Sequence, residues 1–154
     1  ALTFKNGAQA SADEVTFAFT GKKSRLNIES GSNVSVKAPT TGPRKGLAFM
    51  EIANSKKKQK SKKGKKKENK AIANTISSGG ALEVLGTVYF PTQTLVVEGK
   101  DTKMGARAPA TSFIAHTIDL DGDRGSRVQV NVNLRAADLP PILPRAEGGA
   151  RRVE

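Results

Sequence analysis

The feature that most constrains the fold of this chain is a short apolar segment that recurs along it. Each copy is a β-prone run of branched, aromatic and small residues near glycine or proline. The copies begin near Val15, Leu47, Val88 and Phe113, at spacings of 32, 41 and 25 residues. The middle spacing also becomes 25 once a lysine-rich block of 16 residues, 55–70, is left out. A repeat of about 25 residues with short strands and glycine-rich corners is typical of a solenoid, in which each repeat forms one coil.

The segments between these copies support the same fold. Residues 26–28 and 34–36 alternate apolar and polar side chains, as half-buried strands do. Residues 38–43 contain two prolines and a glycine and cannot continue a strand ladder, so we expect a longer corner loop there. We therefore predict an all-β fold, a right-handed parallel β-helix of about four coils. An antiparallel β-sandwich is the alternative, because strand spacing alone does not distinguish the two.

The chain of 154 residues is long enough for one domain. We expect a single solenoid domain over 1–134, with the block 55–70 inserted as a corner loop, and a tail rich in proline and glycine over 135–154. The sequence contains no cysteine, which excludes disulfides, cysteine zinc sites and a thiol nucleophile. It has no apolar run of membrane-spanning length and starts directly on a predicted strand, so we expect any membrane anchor to belong to a segment absent from this chain.

The basic charge of the chain is concentrated in one place. The net charge is +12, and the block 55–70 contributes +9 of it through ten lysines and Glu68. The lysines are Lys56, Lys57, Lys58, Lys60, Lys62, Lys63, Lys65, Lys66, Lys67 and Lys70. Such a composition cannot bury apolar surface, so we expect an extended, poorly ordered loop. The block is a candidate polyanion-binding site, but without arginine or aromatic residues it does not indicate specific nucleic-acid recognition.

Three acidic residues form the candidate metal site. Asp119, Asp121 and Asp123 alternate in the sequence, as the first ligands of a calcium loop do. The match ends there, because Arg124 stands where the sharp-turn glycine is needed and Val130 stands at the position of the final bidentate acid. We therefore favour a polar strand end and turn, with calcium as the alternative.

The remaining polar residues indicate structural roles. His116 is the only histidine, it lies in an apolar run, and no nucleophile-elbow motif accompanies it. Glu83 and Asp119 could share an outer face, as the carboxylates of β-helical polysaccharide lyases and hydrolases do, but so could any outward pair. The asparagines that could form corner ladders are Asn27, Asn33, Asn74 and Asn131. No phosphate-binding glycine motif is present, so we expect neither catalysis nor a cofactor.

Three passages resemble a bacterial family when taken together and in order. They are residues 30–43 with 46–49, residues 74–76 with 86–91, and residues 113–118. They are similar to recurring passages of the TadG-like proteins of Flp pilus assembly. The resemblance covers roughly residues 15–133. It implies an accessory protein of the bacterial cell envelope, working in a tight-adherence (Flp/Tad) pilus system and usually anchored by an N-terminal transmembrane segment.

The sequence and the resemblance together favour a non-catalytic structural or adhesive module of the cell envelope, linked to Flp/Tad pilus assembly. Its expected partners are other envelope or pilus-assembly proteins. The first alternative is a carbohydrate-active or acidic-glycan-binding β-helix whose lysine loop recruits acidic polysaccharide. The second is polyanion binding through the lysine block alone. A cluster of carboxylates within about 5–10 Å on one face would favour the enzyme.

Overall fold

The computed structural model describes residues 1–21, 23–52, 72–105 and 111–122, and the backbone of 129–130. In this part of the chain the protein is all-β and has no helix, as the sequence predicts. The strands are β1 (Leu2–Phe4), β2 (Gln9–Ala12), β3 (Phe17–Thr20), β4 (Leu26–Ile28), β5 (Asn33–Lys37), β6 (Leu47–Ile52), β7 (Ala73–Ile76), β8 (Ala81–Glu98), β9 (Lys103–Met104), β10 (Thr111–Asp121) and β11 (Gln129–Val130).

All ten described strand pairs are parallel, and the strands belong to one curled sheet. The first ladder contains β1, β4, β7 and the last parts of β8 and β10. The second contains β2, β5, the first part of β8, β9 and β11. The third contains β3, β6, the middle of β8 and the first part of β10. The antiparallel sandwich is therefore wrong for the described strands.

Side chains at matching positions of successive strands form apolar columns. Alternate residues of a strand point to opposite faces, so one register places the same face of every strand toward the core. The column of the first ladder contains Phe4, Ile28, Ile76, Val97 and Leu120. The column of the second contains Ala10, Val34, Leu82 and Met104. The column of the third contains Phe17, Phe49, Val88 and Phe113.

The third column corrects the alignment expected from the sequence. Val15 and Leu47 were expected to stack with Val88 and Phe113, but the residues in register are Phe17 and Phe49. The Phe17 and Phe49 rings stack at 5.2 Å between centroids, and such rings bury more apolar area than valine or leucine. Val15 precedes β3, and Leu47 pairs with Thr87. The spacing of 32 residues is right, but its starting point lies two residues later.

Two corners lie inside the longest strand. Glycine and proline often bound a strand, which predicts a short strand between Gly86 and Pro91, but β8 runs through both. Gly86 has a φ of 134° and lies where the second ladder passes to the third. Pro91 lies between Phe90 and Thr94, where the pairing of β8 with β10 has a register shift. No ladder hydrogen bond is needed at that position, so proline, which has no N–H, is tolerated there. The loop after β5 is longer, as predicted, and the Gly46 N–H closes it by donating to the Pro39 carbonyl at 2.8 Å.

Candidate functional surfaces

The lysine block 55–70 lies outside the described residues, so its extended conformation stays a prediction. Both of its flanks are described. β6 ends at Ile52 in the third ladder, and β7 begins at Ala73 in the first. In the neighbouring repeats the chain also passes from the third ladder to the first. It does so through residues 21–25 after β3 and through residues 91–93 within β8. The block therefore belongs to a connection between the third ladder and the first. The corresponding connections in the neighbouring repeats are short.

The N-terminal flank of the lysine block is tied to the neighbouring corner by a carboxylate. Oε2 of Glu51 accepts a hydrogen bond from the Thr92 backbone N–H at 3.0 Å. Oε1 of the same carboxylate accepts a second hydrogen bond from the Thr92 hydroxyl. Two bonds to one charged group fix the side chain more firmly than one. The end of β6, the last described part of the chain before the block, is therefore held against the corner at 91–93.

The C-terminal flank is held by a buried amide network. Asn74 is 0% exposed, its Nδ2 donates to Gln93 Oε1 at 2.8 Å and to the Thr94 carbonyl at 3.3 Å, and its Oδ1 accepts from the Leu26 N–H at 2.8 Å. Gln93 Nε2 in turn donates to the Ser24 carbonyl at 3.2 Å. Buried polar groups need such partners. The network therefore joins three successive repeats at the point where the chain returns from the block.

Replacing Asn74 with alanine should lower the free energy of unfolding by about 2–3 kcal/mol, because the buried Leu26 N–H and Gln93 Oε1 then lose a partner. Urea unfolding followed by far-UV circular dichroism measures the change. Asn27 is the matched control, since its amide is half-buried and its bond to Thr3 Oγ1 is long, at 3.5 Å. Asn27→Ala should cost about 0.5 kcal/mol or less. Equal effects of the two substitutions would contradict the role given to the network.

A charged cluster fixes the long corner loop between β5 and β6. Lys37 Nζ lies 3.1 Å from Asp13 Oδ1 and 3.5 Å from Glu14 Oε1, and the Thr40 N–H donates to Glu14 Oε2 at 2.7 Å. The Thr40 N–H is the main cause that lowers the pKa of Glu14, and the hydrogen bond with Asp13 is the main cause that raises the pKa of Lys37. The groups are exposed, so the cluster orients the loop more than it stabilises the fold.

The acidic candidates do not converge. Asp119 and Asp121 are exposed residues of β10 in the first ladder, while Glu83 lies in the second ladder, opposite Ser35. Asp123 lies outside the described residues. His116 is exposed at the register shift between Ala115 and Thr117. No three histidine, cysteine, aspartate or glutamate side chains within the described ranges are grouped to hold a metal ion.

The asparagines do not stack on one another, which corrects the expected corner ladders. Asn27 lies between Thr3 and Thr75 in the first ladder, and Asn33 pairs with Gln9 and Ala81 in the second. Asn74 pairs with Leu95 and forms the buried network instead. Asn131 lies outside the described residues. Asn27 and Asn74 therefore make separate contacts, because the strand register offsets the asparagines from one another.

The third ladder presents an apolar column on its outer face, which we call the outer column. It consists of Ala18, Met50, Tyr89 and Ile114. These residues alternate with the inward phenylalanines, and Ile114 is 43% exposed. The sequence contains its signal, since the runs around these positions are apolar at consecutive residues rather than at alternate ones. The outer column is the surface of this ladder best suited to contact another protein.

Comparison of the chain with protein-family models, curated proteins and solved structures finds no match. Within the described segments, no helix combines the length and apolarity needed to cross a membrane.

Proposed function

We propose that this chain is a non-catalytic structural or adhesive module of the bacterial cell envelope that acts in Flp/Tad pilus assembly. In this proposal the three ladders are the faces of a right-handed parallel β-helix of about four coils. The observation that carries it is the in-register run of the first column from Phe4 to Leu120, because such stacking makes a stiff support. Its mechanism is mechanical display, in which fixed strand faces and corner loops contact partner proteins.

The outer column gives this display a contact surface. Tyr89 and Met50 are half-buried and Ile114 is exposed, so an apolar strip crosses four successive strands of the third ladder. Aromatic residues and methionine are enriched in protein interfaces. The partner expected on this strip is another envelope or pilus-assembly protein, in agreement with the resemblance of the sequence to TadG-like proteins.

The two flanks of the lysine block favour polyanion binding as the second function. Glu51 and Asn74 attach to the same corner of β8, so the chain leaves and returns to the fold beside residues 92–94. A segment with ten lysines between these two flanks would attract an acidic polysaccharide through salt-sensitive contacts. The ligand would be bound rather than cleaved, with no specific nucleic acid and no cofactor expected.

The test of the pilus proposal is deletion of the gene in its source bacterium, followed by counting surface pili and measuring adherence. We expect both to fall and to return with the wild-type gene. Tyr89→Asp should fail to restore them, because a carboxylate in the outer column opposes an apolar contact. Thr75→Asp, on the outward side of the first ladder, is the matched control and should restore both. Normal pili and adherence in the deletion strain would refute the proposal.

A further inference from the structure

The stack has two open ends in the part of the chain that the structure describes. At the N-terminal end, β1, β2 and β3 each pair on one side only, with β4, β5 and β6. At the opposite end, β10 pairs only with β8. The unpaired edges present backbone N–H and C=O groups that can accept a further parallel strand. Because every described pair is parallel, β1 of a second copy would run in the same direction as β10 when it is added to the edge of β10.

The first column continues apolar to both ends. Its middle members Ile28, Ile76 and Val97 are 0% exposed, whereas Leu120 at the end is 55% exposed. Phe4 at the other end is only partly buried. Leu120 therefore has an apolar neighbour on one side of its column, and the described part of the chain supplies none on the other. A second Phe4 placed there would repeat the contact that Phe4 makes with Ile28.

The charges at the two ends are complementary in the same register. Lys5 follows Phe4 and Asp121 follows Leu120, so a strand that sets Phe4 beside Leu120 also sets Lys5 beside Asp121. Both side chains are exposed. Opposite charges directly across two strands stabilise the pairing, and like charges oppose it. In this register the neighbour of Asp119 is Thr3, which brings no acid against it.

The apolar surfaces of the two ends also fit. An open hollow of about 290 Å³ lies between β1 and β3 at the N-terminal end, and its lining includes Leu2, Phe17 and Phe19. Ile118 is 46% exposed at the other end, two residues before Leu120, just as Leu2 is two residues before Phe4. The same register therefore places Ile118 beside Leu2, at the mouth of the hollow, where its burial would be favourable.

We propose that the end of the stack formed by β10 binds the N-terminal end, β1 to β3, of a second copy of this chain. The two copies continue one parallel ladder, with Phe4 on Leu120, Leu2 on Ile118 and Lys5 paired with Asp121. The contact joins two different surfaces and continues the ladder along the axis of the stack, so it produces linear oligomers rather than a closed ring. The inference depends on the parallel stack and not on the envelope role, and the experiment uses the purified chain, so the two proposals can fail separately.

The first test blocks one end at a time. Sedimentation of the full 154-residue chain should show linear association that increases with protein concentration. Leu120→Asp or Phe4→Asp should each weaken the association by about a hundredfold or more, since a carboxylate would face the apolar column. A mixture of the two variants should still form a 1:1 dimer, because each retains the end that the other lacks. Circular dichroism confirms that each variant is folded.

The second test exchanges charges on exposed side chains, which leaves folding intact. Lys5→Asp and Asp121→Lys should each weaken association by about five- to tenfold at low salt. The double variant K5D/D121K should restore it to within about twofold of the wild type, because the opposite pair is recreated. Added salt should reduce the differences between these variants.

Three results would overturn the inference. The first is a chain that stays monomeric at every concentration. The second is association that neither Leu120→Asp nor the charge reversals change, which would place the contact on another surface. The third is association that appears only after residues 135–154 are removed, which would show that this chain's own C-terminal segment occupies the end of the stack.

Discussion

Replacing Gly86 with alanine is expected to lower the free energy of unfolding by about 3–5 kcal/mol. Gly86 has a φ of 134°, a conformation that other residues rarely adopt. A Cβ atom there would lie 2.6 Å from the Ala38 Cβ and 2.9 Å from the Gly46 carbonyl oxygen. Neither neighbour can withdraw cheaply. The Ala38 N–H donates to the Leu85 carbonyl at 2.9 Å, and the Gly46 oxygen accepts from the Thr87 N–H at 2.8 Å.

Gly42 provides the matched control for this prediction. It has a φ of 80°, but an added Cβ would meet no atom within 4 Å. Gly42→Ala should therefore cost only the backbone strain, about 1–2 kcal/mol. Chemical denaturation of both variants separates close packing from strain. The pair Ala38→Gly with Gly86→Ala should recover part of the loss, since it removes the shorter of the two contacts. If Gly86→Ala lowers the free energy of unfolding no more than Gly42→Ala does, the close approach of Gly86 to Ala38 and Gly46 is wrong.

The all-β class and the recurrence of short strands were predictable from the sequence, because they depend on composition and spacing, whereas spacing alone left parallel and antiparallel pairing open. Corner residues such as Gly31 and Gly79 have positive φ values of 74° and 73°, and both occur where the sequence signals a turn. The strand at Leu26–Ile28 was expected from its alternation of apolar and polar side chains and has the expected bounds. Local propensity and a recurring period agree in these segments, and the fold follows both.

Other strands could not be predicted, because their pairing comes from neighbours rather than from their own composition. β2 has the sequence Gln-Ala-Ser-Ala, which has little β propensity, yet it pairs with β5 through four residues. β9 has only two residues and lies between β8 and β11. In both cases an adjacent strand with buried apolar side chains supplies the ladder. Tertiary pairing overrides weak local preference here.

The candidate surfaces also contain some features that the sequence predicts and others that it does not. The outward position of Asp119 follows from the period-two alternation of a strand and was predictable. The buried bond between Asn74 and Gln93 was not, because it joins residues 19 positions apart at a corner whose register the sequence does not specify. The fit between the two ends of the stack also needs the register, since only the register shows that Lys5 and Asp121 follow the same column.

Replacing Phe49 with alanine should lower the free energy of unfolding by about 3–5 kcal/mol. Phe49 is 0% exposed at the centre of the third column, and its ring lies 5.2 Å from that of Phe17 and 6.4 Å from that of Phe19. The substitution removes both ring contacts and leaves a cavity that paired strands on each side cannot close. Phe49→Leu keeps most of the volume and should cost about 1.5 kcal/mol or less.

Leu47 is the informative control, because the spacing of the apolar runs placed it in the column where the structure has Phe49. Leu47 is half-buried and pairs with Thr87, so Leu47→Ala should cost clearly less than Phe49→Ala, about 1–2 kcal/mol. A double-mutant cycle between Phe17 and Phe49 should give a coupling of about 0.5–1.5 kcal/mol from their stacked rings. If Leu47→Ala is instead the more damaging substitution and the cycle shows no coupling, the register of the third ladder is shifted by two residues, and the neighbours assigned to Phe49 and to the outer column are wrong.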